Sequence, residues 1–334
     1  MDTPPVRTPA GLSRRRAVGA VGAMGAAVAG ASFGAVFGGR TSGGQGILDE
    51  VSPRAPELRL QQSMAHWCFA QSKWNWSLER SCEEARAAGC TSVELLAPGL
   101  LPVLKPFGLR CALVSIDLKP GLLGFQAGWN NPENWEMLEA TTRRSLDAAA
   151  EFGAPNVIAF VGMKARSLRE PDQGDFSPEQ GAANCVEGLK RIAGYAEKRG
   201  VTLCLEMLNS RDASAPMLGH PGYQGDHLDY CVQILERVES ARVKLLFDVY
   251  HVQIMDGDVI RRIRQLAPWI AHVHTAGVPG RGELDLNQEV NYPAIARALV
   301  AAGYTGFVGH EFLPTRDPVE GLREAVLACT GAPA

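Results

Sequence analysis

The chain has 334 residues, of which 46% are hydrophobic and 21% are charged. This balance is typical of a globular protein with ample apolar material for a core, and it excludes a disordered or collagen-like chain. With 33 basic and 36 acidic residues, the sequence offers no basic surface for a nucleic-acid partner. Eight cysteines are too dilute for a disulfide scaffold, and none lies in a CxxC or zinc-finger spacing.

The N-terminal segment has the order of an export signal. Ser13-Arg14-Arg15-Arg16 precedes an uncharged, weakly apolar run from Ala17 to Gly39. A basic start followed by an apolar, small-residue stretch is typical of a signal peptide, and the paired arginines resemble a twin-arginine signal. We therefore expect twin-arginine export machinery to recognise residues 1–39, and the protein to be periplasmic or extracellular. The alternatives are a membrane anchor through residues 17–39, if the leader is uncleaved, and a mis-assigned start. Residues 40–56 predict a linker.

From residue 57 to residue 334, short β-like segments alternate with longer segments that have helical spacing. The predicted strands are 58–64, 91–96, 111–117, 156–162, 202–208, 243–249, 270–276 and 306–312. Helices are predicted between them, for example over Leu78–Ala88, Glu179–Lys198 and Leu228–Val238. Strands that alternate with helices pair in parallel, and eight such units predict an α/β protein with one (β/α)8 TIM barrel domain. A doubly wound sheet more often uses five or six strands.

Polar residues lie at the ends of the last four predicted strands, where a TIM barrel gathers its reacting groups. They are Glu206, Asp248, the pair His272 and His274, and Glu311. An unpaired buried carboxylate costs several kcal/mol, and three that converge would repel one another. A divalent cation offsets both costs. Oxygen donors with one imidazole favour Mn²⁺ or Mg²⁺ and also allow Co²⁺ or Zn²⁺.

Three sequence runs carry a family resemblance: Phe247–Asp258 (FDVYHVQIMDGD), Ala276–Arg281 (AGVPGR) and Glu289–Pro293 (EVNYP). They resemble hydroxypyruvate isomerases, which belong to the xylose isomerase-like barrel superfamily, and the likeness extends over residues 57–330. The resemblance implies one divalent metal ion bound by Glu206, Asp248, His274 and Glu311. It also implies substrate contacts from His251, in the loop after the sixth strand, and from Arg281. The classical isomerases have Gln in the place of His274, whereas the epimerases of the superfamily have His, so the substrate stays open.

The chemistry that such a site supports is proton transfer beside a carbonyl. Interconversion of an α-hydroxy aldehyde and an α-hydroxy ketone moves a proton between adjacent carbons through an enediolate, and a metal ion stabilises the developing oxyanion. Glu206 and Glu311 are the predicted acid/base groups. For hydroxypyruvate the product is tartronate semialdehyde, with Arg281 pairing to the substrate carboxylate.

Two further histidines are candidate substrate contacts. His66, at the end of the first strand, is expected to line the pocket or to belong to ordinary packing. His227 is expected to reach the site or to cap the following helix.

Other functions use the same residues. A ketose 3-epimerase, or a dehydratase or lyase of a keto-sugar or inositol, needs the same metal site. A non-enzymatic exported sugar-binding protein would be marked by a missing ligand, and none is missing. A small-molecule keto acid or sugar is the expected partner, and a homo-oligomer is left open.

Overall fold

The computed structural model describes residues 60–118 and 121–331. The predicted signal segment 1–39 and the predicted linker 40–56 lie outside the described residues. No helix within the described ranges has the length and apolar character needed to cross a membrane.

Seven parallel strands form one curled sheet. In chain order the strands are β1 (Gln61–Ala65), β2 (Ser92–Glu94), β3 (Asn156–Phe160), β4 (Thr202–Glu206), β5 (Val243–Asp248), β6 (Ile270–Thr275) and β7 (Phe307–His310). Their spatial order is β2-β1-β7-β6-β5-β4-β3, so neighbours in space are mostly neighbours in sequence. This arrangement confirms the predicted α/β barrel class.

The α-helices of the described residues lie between and after these strands. They are α1 (His66–Ala70), α2 (Leu78–Ala88), α3 (Trp135–Phe152), α4 (Pro178–Arg199), α5 (Leu228–Val238), α6 (Val249–Met255), α7 (Val259–Leu266), α8 (Tyr292–Ala301) and α9 (Pro318–Ala328). Both α2 and α5 have the predicted bounds. The α4 helix begins with a capping box between Ser177 and Gln180 and ends at Gly200, whose φ of 70° is left-handed.

The prediction of a third strand over 111–117 is wrong, because this segment forms isolated β-bridges instead of a continuous strand. Its backbone ladder is interrupted at Ala112, whose N–H donates to Ser92 Oγ and whose carbonyl accepts from Asn156 Nδ2. Val114 still bonds through its backbone to β3 at Asn156 and at Ile158. On the other side, Leu95 N–H, just beyond β2, donates to the carbonyl of Leu113. The segment therefore joins β2 to β3 and closes the barrel with fewer hydrogen bonds than a regular strand.

The alternation of side chains along each strand determines what faces the barrel interior. Cys204 and Leu246 belong to a small apolar cluster separate from the large core that includes the helices. Glu206 and Asp248 lie two residues further along the same strands, so they share the face of that cluster. The barrel thus has an apolar layer below and a polar layer at the carboxyl ends of its strands.

Candidate metal centre

Four side chains from consecutive strands converge at the carboxyl end of the barrel. Glu206 ends β4, Asp248 ends β5, His274 lies in β6, and Glu311 follows β7 directly. Each offers one ligand-type atom, and these atoms lie within 4.8 Å of one another. All four residues are buried. The structure therefore brings together the four residues expected to hold a metal ion.

The donor atoms of this group fit a divalent cation. Oε1 of Glu206, Oδ2 of Asp248 and Nδ1 of His274 are buried and have no hydrogen-bond partner among the described residues. His274 Nδ1 lies 3.1 Å from Glu311 Oε2 and 3.5 Å from Glu206 Oε1. Carboxylate oxygens with one imidazole nitrogen, left unsatisfied by the protein, form a donor set that Mn²⁺, Mg²⁺, Co²⁺ or Zn²⁺ accepts.

Burial and mutual repulsion make the group bind protons near neutral pH. Burial raises the pKa of Glu206 to about 7 and that of Asp248 to about 6, and the charge of Glu311 adds to both shifts. Burial alone would lower the pKa of His274, but the surrounding carboxylates, Glu311 first, raise it well above its usual value. A cation would replace these protons and offset the repulsion between the carboxylates.

The two oxygens of Asp248 have different surroundings. As the N-cap of α6, its Oδ1 accepts a hydrogen bond of 2.7 Å from the backbone N–H of Tyr250. The other oxygen, Oδ2, is left for the centre. Because α6 begins directly after β5, His251 lies in the first turn of a helix and not in a loop as expected, and it is fully buried.

The environment of His251 determines its tautomer. The backbone N–H of Asn209 donates to Nδ1 of His251 over 3.1 Å, so Nδ1 acts as an acceptor. Burial lowers the pKa of His251 well below its usual value, which keeps the ring neutral. The hydrogen therefore lies on Nε2, which is 3.5 Å from Oδ2 of Asp248 and has no acceptor among the described residues.

Glu311 is held by two donors on the cavity side. Its Oε1 accepts from Nε1 of Trp67 at 2.8 Å, and its Oε2 accepts from Nη2 of Arg281 at 2.7 Å. The Arg281 guanidinium lies 5.4 Å from the ring centre of Trp67 and 5.4 Å from that of Tyr250. Burial would raise the pKa of Glu311, but Arg281 and His274 outweigh it and hold this pKa well below its usual range. Nε of Arg281 has no acceptor among the described residues and is a free donor.

A cavity of about 560 Å³ opens over the centre. Its polar lining includes Trp67, Glu206, His220, Arg281 and Glu311. Its apolar lining includes Leu95, Ile116, Phe125, Ile158, Phe160 and Leu208. The rings of His220 and Phe125 pack with centroids 4.3 Å apart, and burial lowers the pKa of His220 to about 4. A ligand here would meet both charged groups and an apolar wall.

The structure does not bring His66 or His227 to this cavity. Nδ1 of His66 lies 2.9 Å from Oγ of Ser81, and its neighbour Trp67 lines the cavity instead. His227 occupies the N-cap position of α5, where its side chain makes no capping bond, and its Nδ1 lies 2.5 Å from Oδ1 of Asp256.

Sequence analysis missed Glu94, the last residue of β2. Its Oε1 lies 2.9 Å from Nε2 of His274 and 3.0 Å from Nε2 of His272, and all three side chains are fully buried. The signal that identified Glu206, a carboxylate late in a buried strand, was also present here, within the predicted strand 91–96.

Comparison with known proteins adds three findings. Residues 82–329 match the profile of the xylose isomerase-like TIM barrel family. The human protein named "Putative hydroxypyruvate isomerase" is 30% identical over 280 residues, which cover 79% of this chain and 93% of that protein. The 2-oxo-tetronate isomerase of Cupriavidus necator is 36% identical over 182 residues, covering 54% of this chain and 64% of that protein.

A solved structure shows the same fold. The "AP endonuclease, family 2" of Brucella melitensis superposes with a TM-score of 0.64, at 24% identity, over 79% of this chain and 96% of that chain. This likeness concerns the fold alone.

Proposed function

Because the chain belongs to the xylose isomerase-like TIM barrel family, we propose that it is a divalent-metal-dependent isomerase of a short hydroxy-keto acid. Hydroxypyruvate, converted to tartronate semialdehyde, is the substrate to test first. The observation that carries the proposal is the convergence of Glu206, Asp248, His274 and Glu311 below an open cavity. The names of the two relatives support the isomerase class.

These four side chains would hold the metal ion. A bound divalent cation supplies a Lewis acid that stabilises negative charge on the substrate carbonyl oxygen. The unsatisfied Oε1, Oδ2 and Nδ1 atoms support this assignment, since buried polar atoms without partners are costly.

Glu206 is the group to which we assign proton removal. It lines the cavity, and with Oε1 assigned to the metal ion its other carboxylate oxygen, Oε2, is the atom that would take the proton. Both oxygens of Glu311 accept hydrogen bonds, from Trp67 and Arg281, so Glu311 is the weaker base of the pair. In hydroxypyruvate, Glu206 would take the proton from the hydroxymethyl carbon. Returning a proton to the neighbouring keto carbon, with transfer of the hydroxyl proton, completes the isomerisation.

Two residues would orient the substrate. His251 does not line the cavity, but its Nε2–H lies beside Asp248 and would donate to a substrate oxygen that reaches the metal centre. Arg281 lines the cavity and uses Nη2 on Glu311, so its guanidinium would pair with the substrate carboxylate. The positive charge of Arg281 at the cavity would therefore favour a substrate with a carboxylate.

The size of the cavity favours a second candidate, a ketose 3-epimerase or a keto-sugar dehydratase with the same metal site. A volume of about 560 Å³ lies in the range of about 300–1,000 Å³ that holds ligands much larger than a three-carbon acid. Both candidates begin with proton removal beside a carbonyl.

Turnover assays separate these functions. The purified protein is stripped of metal and assayed with hydroxypyruvate, four-carbon keto acids and ketoses, with Mn²⁺, Mg²⁺, Co²⁺ or Zn²⁺ added in turn. Metal-restored turnover of a keto acid, lost in Glu206→Gln, is the expected result. Turnover of ketoses alone would support the second candidate function instead. Metal binding without turnover of any substrate would contradict both candidate functions.

A further inference from the structure

Glu94 lies behind the metal centre and is in hydrogen-bond contact with one of its residues, His274. Its Oε1 is 2.9 Å from Nε2 of His274, the ring nitrogen that points away from the other three ligands. Glu94 lies in β2 and His274 in β6, so the two residues are far apart in sequence and the fold brings them together.

A carboxylate that accepts from Nε2 determines the form of the His274 ring. An ionised carboxylate has no hydrogen to donate, so the hydrogen of this bond belongs to Nε2. In the neutral ring, Nδ1 then carries the lone pair, and Nδ1 is the atom that lies 3.1 Å from Glu311 and 3.5 Å from Glu206. We propose that Glu94 is a positioning residue that fixes the tautomer and orientation of His274 for metal binding. This inference rests on the metal centre of the proposed function.

Packing of the neighbouring strand keeps the two groups in contact. A Cβ at Gly309 in β7 would lie 2.1 Å from Oε1 of Glu94 and 2.9 Å from Cδ2 of His274. Any side chain at Gly309 would therefore displace one of them. The glycine allows the β7 backbone to close over the contact, which leaves the carboxylate little freedom to move.

His272 holds Glu94 from a second direction. Its Nε2 lies 3.0 Å from the same Oε1, and both residues are fully buried. Glu94, His272 and His274 are also ligand-type groups that lie together, so a second cation is the competing explanation. The separations of 2.9 and 3.0 Å are ordinary hydrogen-bond lengths, and the Gly309 backbone occupies the adjoining space. We therefore assign hydrogen bonds here.

The test compares Mn²⁺ affinity in the full chain and in Glu94→Gln, after metal removal, by titration calorimetry. Gln62→Met is the matched control. Gln62 is also buried, and its Oε1 accepts from Nε2 of His310, a histidine outside the metal centre. Loss of a partner carboxylate behind a ligand typically costs about 10- to 100-fold in metal affinity. We expect that loss in Glu94→Gln and unchanged affinity in Gln62→Met.

Visible absorption of the Co²⁺-loaded proteins is a second measurement, which reports ligand geometry independently of activity. Glu94→Gln should change this spectrum, and Gln62→Met should not. If circular dichroism shows that Glu94→Gln does not fold, Glu94→Asp replaces it. The Asp variant should give a smaller loss of Mn²⁺ affinity, because it keeps the carboxylate charge but holds it further from His274.

Unaltered affinity and an unaltered Co²⁺ spectrum in the Glu94 variant would overturn the inference while the proposed function stands. Two Mn²⁺ ions per unaltered chain, with one lost in Glu94→Gln, would overturn it in favour of a second cation. An unaltered chain that binds no metal would overturn the proposed function together with this inference.

Discussion

The backbone N–H of Asn209 donates to Nδ1 of His251 over 3.1 Å, and this bond places the hydrogen of the neutral ring on Nε2. Asn209 follows β4, whereas His251 lies in α6 after β5. Two neighbouring barrel units therefore set one imidazole ring with Nε2–H beside Asp248. The ring is also fully buried, which keeps it neutral and makes it a donor of fixed direction.

Replacing His251 by Phe should lower kcat/KM by about 10- to 100-fold, the effect of a lost hydrogen bond to a charged or developing oxyanion. The Phe ring keeps most of the packing volume and removes the donor. Because His251 is not among the four proposed ligand residues, Mn²⁺ affinity should stay unchanged. Steady-state kinetics with parallel calorimetry checks both expectations, and a loss confined to metal affinity would contradict the assigned role.

The two glutamates should differ in their contribution to proton transfer. At saturating Mn²⁺, Glu206→Gln should lower kcat by about 10²- to 10⁴-fold, the usual contribution of a general base. Glu311→Gln should cost less, because Trp67 and Arg281 already engage its oxygens. Exchange of substrate hydrogen with deuterated solvent, followed by NMR, measures the step directly. Parent-rate exchange in Glu311→Gln would remove Glu311 from the acid/base pair.

The barrel and the convergence of its polar strand-end residues could be predicted because one physical rule governs both, whereas the choice of His274 over His272 as a candidate ligand rested on the family resemblance. Side chains alternate along a strand, so a carboxylate two residues beyond an interior apolar residue must point into the barrel. Cys204 and Glu206 show this relation, as do Leu246 and Asp248. Parallel strands end on one side of the barrel, which brings distant sequence positions together.

The remaining features depend on contacts that no local pattern encodes. The third strand is interrupted because side chains of Ser92 and Asn156, distant in sequence, bond to Ala112. His66 and Trp67 are adjacent, yet only Trp67 reaches the cavity, since the first strand turns directly into a helix. Glu94 had the right local signal, but its role depends on pairing with a histidine about 180 residues away.

Arg281 should discriminate between acidic and neutral substrates. In Arg281→Lys, the single ammonium group can pair with Glu311, but the other donors of the guanidinium are lost. We expect KM for a keto acid to rise about tenfold or more, with little change for a neutral ketose. Kinetics with one acidic and one neutral substrate gives the comparison. An equal loss for both would mean that Arg281 acts only through Glu311.

Metal affinity should rise with pH, because protons compete for the ligands. The pKa is raised to about 7 for Glu206 and to about 6 for Asp248, so below these values the metal-free centre holds protons that the cation must displace. Between pH 5.5 and pH 7.5 the Kd for Mn²⁺ should fall by at least about tenfold, with proton release. Calorimetry in two buffers of different ionisation enthalpy counts the protons. Affinity independent of pH would show that the carboxyl groups are already ionised at pH 5.5.

We also propose that the protein is exported already folded. All eight cysteines are buried and unpaired, so its fold does not depend on disulfides formed after export. The paired arginines Arg14 and Arg15 are the feature that twin-arginine machinery reads. Replacing both with Lys keeps the charge, and it should retain the protein in the cytoplasm of a bacterial host that has this machinery. Immunoblots of cell fractions measure the distribution, and equal export of the lysine variant would exclude this route.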